Sequence, residues 1–180
     1  MKGESRIRKA ALAVSLVASI LFAGAGQAIA APAKETSYSQ KDLLQAGLKG
    51  TGQPLPLTAT KPDGMSIQVI CYVSGDGPRR WSAQRITFGV SVICDGAIRN
   101  VTMYLYVFQQ ISDSLPYSGF ASRGPESATG TPFIVSVNRD DPVCLPADYV
   151  GVAHVIVDFL SGYPLHLEGV FGTGEIFIGC

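Results

Sequence analysis

Four side chains near the C-terminal end of the chain have the types and spacing to do chemistry together. His154 and Asp158 lie in "DYVGVAHVIVDFL", and His166 and Glu168 lie in "PLHLEGV". All four fall on the non-core parity of two consecutive alternating runs. A three-residue turn centred on Gly162 then sets Asp158 opposite His166 across a hairpin. An imidazole beside a carboxylate is two-thirds of a hydrolytic triad, and the same donors could ligate a metal. No serine or cysteine is marked as a nucleophile, and no G-x-S-x-G elbow occurs. The expectation is a solvent-exposed ion pair, with no catalytic residue, no metal ligand and no cofactor.

Two other groups of residues could make contacts rather than break bonds. In "NVTMYLYVF", Val101, Met103, Leu105 and Val107 face inward, which lines up Tyr104, Tyr106 and Phe108 on the other side. Three aromatics on one strand face could stack on sugar rings or dock a partner chain. A short amphipathic segment could equally lie across them. The second group lies in the long connection 109–132, whose Tyr117, Phe120 and Arg123 are the residue types that dominate binding hot spots. A protease-inhibitor role through the 110–131 loop is the alternative it raises.

The elements that must position these side chains are strands. From Ser66 onward apolar residues recur with period two, as in "SIQVICYV", "RITFGVSVIC" and "PFIVSVN". Seven such runs, parted by clusters such as "CDGA", "NRDDP" and "FGTG", are expected as half-buried antiparallel strands. That spacing predicts an all-β fold, an immunoglobulin-like β-sandwich of about seven strands. Ahead of it, "SYSQKDLLQAGLKG" reads as one short helix: Ser39 caps, Asp42 follows three residues on, and Leu43, Leu44 and Leu48 share a face. Residues 51–64 read as an extended, Pro-broken connector.

The N-terminus carries Lys2, Arg6, Arg8 and Lys9, then 15 residues without charge, then Ala28-Ile29-Ala30. A basic head, a short apolar stretch and an A-x-A site make a secretory signal peptide, too short to span a bilayer. The domain plan is therefore residues 1–30 leader, 31–65 helix and connector, and 66–180 sandwich, in an extracellular protein. Without the leader the chain keeps 10 basic and 13 acidic residues. That balance argues against nucleic acid, which needs a basic face, and no later segment is long and apolar enough to span a membrane.

Four cysteines, Cys71, Cys94, Cys144 and Cys180, remain in the exported part and read as two disulfides. Three pairings are open; joining chain neighbours favours Cys71–Cys94 and Cys144–Cys180. Wide spacing argues against zinc, which wants close ligand pairs.

The segments "VSVICDGAIRNVTMYLYVF", "CLPADYVGVAHVIV" and terminal "IFIGC" carry a C…C-x-G-x-[IV]…C…Y…C layout, with Tyr149 as the tyrosine. Over about residues 66–180 this resembles a group of small secreted actinobacterial proteins of unassigned activity. The resemblance implies a disulfide-stapled β-sandwich and supplies no catalytic or binding residue. Together these readings lead to an expectation of a secreted, non-enzymatic binding or surface-interaction module, whose partner is a protein or glycan at the cell surface. A hydrolase using the His166–Asp158 face is a further alternative.

Overall fold

The computed structural model describes residues 37–64, 66–141 and 145–179. The expected leader and its expected cleavage site, together with Cys144 and Cys180, lie outside the described residues, and so does the expected Cys144–Cys180 pairing.

One helix and eight strands follow in order: α1 Gln40–Leu48, β1 Leu55–Thr60, β2 Ile67–Ser82, β3 Arg85–Cys94, β4 Ile98–Gln110, β5 Ser118–Ala128, β6 Phe133–Asp140, β7 Ala147–Phe159 and β8 His166–Ile178. They form two four-stranded antiparallel sheets, β1-β2-β3-β6 and β5-β4-β7-β8. Period-two alternation turns one side of each sheet toward a shared core. Val73, Phe88 and Val137 come from the first sheet, and Met103, Leu105 and Val155 from the second; all are buried.

Tyr149, near the start of β7, is fully buried in that core, and Gln109 Nε2 donates to its hydroxyl at 2.8 Å. Burial pushes the phenol pKa up from its ordinary value. Phe120 packs edge-on against the Tyr149 ring, with centroids 5.4 Å apart.

Eight strands stand where seven were expected. β1 forms inside the segment read as a Pro-broken connector, because Pro54 precedes the strand and Pro56 sits on a sheet edge, where a missing N–H costs no ladder bond. β5 forms inside the segment read as a long loop. The two last expected runs merge into one continuous strand, β8, from His166 to Ile178. β2 also runs on to Ser82, well past the expected stop at Val73.

Cys71 and Cys94 are register partners on β2 and β3, with Cα atoms 4.0 Å apart, and they form the expected disulfide. It staples neighbouring strands within one sheet rather than joining the sheets.

The helix begins as its sequence demands. Asp42 N donates to the Ser39 hydroxyl and Ser39 N donates to the Asp42 carboxylate, both at 3.2 Å. The Ser39 hydroxyl, which donates to the Asp42 carboxylate, and then the Ser39 N–H hold the Asp42 pKa below its ordinary value. α1 then lies on the outer face of β7 and β8, where it comes so close that side chains are excluded. A Cβ on Gly172 would stand 2.7 Å from the Gly47 Cα and 2.8 Å from the Ala46 carbonyl oxygen.

Candidate functional site

The aromatic row on β4 is partly covered by the helix. Phe108 is 4% exposed and packs with Leu43, Val150 and Val152 beneath α1. Its expected role as a partner contact is therefore corrected: it anchors the helix. Tyr104 and Tyr106 stay half-buried. Burial, then the neighbouring Tyr104, raises the Tyr106 pKa.

The residues expected on a long loop lie on or beside β5. Phe120 is 8% exposed and belongs to the core, so it too is corrected from contact residue to packing residue. The Arg139 guanidinium lies over its ring at 4.7 Å and also donates to the Phe120 carbonyl. Arg123 donates to Glu126 and to the Ser136 carbonyl on β6, both at 2.9 Å, and so ties the edges of the two sheets together. The Tyr117 hydroxyl donates to Glu175 on β8. Burial, then that bond, pushes its pKa up. A segment paired to β4 and bonded to β6 and β8 is not the protruding loop an inhibitor needs.

The histidine pairs form as the strand parity requires. Asp158 and His166 are register partners, and His166 Nδ1 lies 2.8 Å from Asp158 Oδ1. His154 Nε2 lies 2.9 Å from Glu168 Oε2. They are less exposed than expected: His154 is 8% exposed, stacked on Tyr104 at 5.6 Å and met edge-on by Tyr38 at 4.8 Å. A cleft of about 200 Å³ opens beside it, lined in part by Tyr38, Tyr106 and Glu168. Among the described residues no serine, threonine or cysteine hydrogen-bonds either imidazole. No cluster of three metal-ligating groups occurs among them either.

A wider concavity, about 700 Å³, lies elsewhere, on the outer face of β2, β3 and β6. Its lining includes small residues from three strands, Ser74 and Gly75 on β2, Gly89 and Ser91 on β3, and Ser136 on β6. Trp81 stands at one end, 69% exposed, and Ile134 lines the other side, 70% exposed. Trp81 is the chain's one tryptophan. It is the extra residue of a bulge: Arg80 pairs with Ile86 and Ser82 with Arg85, leaving Trp81 without a partner on β3. Bulges re-aim side chains in this way.

Two arginines flank the groove, each already bonded to a carboxylate: Arg79 to Asp76 at 3.0 Å and Arg85 to Asp140 at 2.9 Å. Further along the same face, Tyr72 and Ile93 are register partners and both exposed.

Gly89 has no evident reason to be glycine. It lies mid-strand in β3, between β2 and β6, and a Cβ built on it meets nothing closer than 3.8 Å. Glycine weakens a strand interior, and it often marks a place where something approaches the backbone closely. Period-two reading had no access to this site, because "SGDGPRRWSAQ" breaks the alternation just where β2 bulges. The signals present were a solitary Trp after Gly-Pro and a Gly inside a run rich in β-branched residues.

Comparison with protein-family models and with curated proteins returned no match to this chain.

Proposed function

We propose that this chain is an exported, disulfide-stabilised, immunoglobulin-like β-sandwich that works by binding rather than by catalysis. Its binding face is the outer side of β2, β3 and β6. The strand order supports the immunoglobulin-like reading. Leaving β1 aside, β2-β3-β6 against β5-β4-β7-β8 follows the A-B-E and C′-C-F-G connectivity of such sandwiches, with β1 as an addition. Tyr149 occupies the place of the corner tyrosine at the start of strand F, although its hydroxyl accepts from Gln109 rather than donating to backbone. The leader and the Cys71–Cys94 bond support export. No described helix is long and apolar enough to cross a membrane.

The observation that carries the binding role is the groove over Gly89, with an unsatisfied apolar rim. Trp81, Ile134, Tyr72 and Ile93 are all exposed on one sheet face, an arrangement that marks interaction surfaces. By contrast, Phe108 on the opposite sheet already has its partner in α1.

The test is capture from the extracellular material of the producing cells, using immobilised folded protein and a Gly89→Val variant in parallel. Material held by the parent and lost by the variant is the expected result. Equal capture by both removes the groove from the argument.

A further inference from the structure

We propose that the groove takes a neutral carbohydrate chain, with one sugar ring lying on Trp81 and its hydroxyls meeting the polar side chains of the groove. This rests on the reading that the groove is the binding face. Four observations narrow the ligand to that class.

The first is the tryptophan. Its indole is the largest flat apolar surface in the groove, and a bulge turns it there. The C–H face of a pyranose is also flat and apolar, and it packs on an aromatic face while the ring's hydroxyls point sideways.

The second is what awaits those hydroxyls. The lining offers the hydroxyls of Ser74, Thr87, Ser91 and Ser136 and the amide of Asn138. Ser74 Oγ and Ser91 Oγ hydrogen-bond to each other at 3.1 Å, a pair that keeps lone pairs to accept from a ligand hydroxyl. Convergent neutral donors and acceptors fix orientation in binding sites.

The third concerns the main chain. β3 is paired on both sides, Gly89 with Asp76 and with Ser136. A peptide adding as a strand needs free backbone groups at a sheet edge, and the middle of this groove has none to give. Over Gly89 recognition therefore falls to side chains, which favours a ligand rich in hydroxyl groups over an extended peptide.

The fourth is charge. Both flanking guanidinium groups are matched by a carboxylate, Arg79 by Asp76 and Arg85 by Asp140. Among the described lining residues no cation is left without a carboxylate partner to attract an anionic polymer, which favours an uncharged sugar. Gly89 then has a purpose, because the missing Cβ lets a ring come down close to the sheet.

Affinity electrophoresis through gels holding laminarin, mannan or arabinogalactan tests the proposal, with hyaluronate as the anionic polymer. Fluorescence titration with the same polymers adds a direct readout, since Trp81 is the only indole. At least one neutral polymer should retard the oxidised protein and shift its emission. Gly89→Val should weaken retention at least tenfold, with an unchanged far-ultraviolet circular dichroism spectrum. Trp81→Ala, at an exposed hairpin position, should do the same and guards against a misfolded Gly89 variant. Retention by none of the neutral polymers overturns the proposal, as does equal retention of both variants, or retention by hyaluronate alone. If the material captured through the groove yields no monosaccharides on complete acid hydrolysis, the carbohydrate inference falls while the binding face stands.

Discussion

Gly75 and Gly89 line one groove, yet alanine at the two positions should act in opposite directions. At Gly89 the new Cβ would find its nearest neighbours, the Ser136 Cβ and the Val135 carbonyl oxygen, at 3.8 Å, which is ordinary contact. Glycine inside a strand costs roughly 0.5–1 kcal/mol relative to alanine. Gly89→Ala should therefore stabilise the fold by about that amount, and Tm should rise by about 1–4 °C for a domain of this size. At Gly75 the Cβ would lie 2.6 Å from the Gly89 carbonyl oxygen and 2.9 Å from Val90 Cγ2. Overpacking costs about 1–3 kcal/mol, more than the same entropic gain returns. Gly75→Ala should lower Tm by several degrees, on the order of 2–8 °C. Thermal and urea melts followed by circular dichroism, with unchanged m-values, measure both. A Gly89→Ala variant less stable than the parent would refute the reasoning. The fold itself would then require that glycine, and its openness would say nothing about a ligand.

Three further outcomes are expected. Tyr117 has a raised pKa, so the folded state favours the protonated phenol. Its contribution is intact below the ordinary value of about 10 and fades as pH rises beyond it; Tyr117→Phe should flatten the fall in Tm between about pH 10 and 11, and parallel curves would discount the Glu175 bond. Cys71 and Cys94 are separated by 23 positions, so the Cys71→Ala, Cys94→Ala double variant should lose about 3 kcal/mol in urea melts by loop-closure entropy. Leu43→Ala removes the buried leucine of α1 and should cost about 2–5 kcal/mol if the helix stays docked; a smaller loss, with new dye binding to the Phe108 face, would show that the helix simply leaves.

The strands with clean alternation were legible because burial on one side alone imposes period two. Val69, Cys71 and Val73, or Val101, Met103 and Leu105, could be assigned to the core from parity alone, and all six are buried. The helix was legible for the same local reason, since Ser39 and Asp42 form a complete capping box within four residues. β5 was not, because an edge strand in which Phe120 is the one buried residue carries little periodic signal. β1 hid behind its prolines. The Asp158–His166 pairing could be read from parity, but how far each histidine is enclosed could not, since Tyr38 and Tyr104 meet His154 from distant parts of the chain. The groove was the least legible feature. It depends on two bulges in β2 and on the absence of a side chain at Gly89, and neither has a period.

The seat of α1 also sets an order of events in folding. A nine-residue helix is too short to persist alone in water, and its docking face belongs to β7 and β8, far along the chain. The backbone-to-backbone approach of Gly47 to Gly172 can form only once that hairpin exists. The earliest of the described elements to be synthesised is thus the last to settle. Until it does, Phe108, Val150 and Val152 lie open on the outside of a finished sheet, where they can be mistaken for an interface by another half-folded copy.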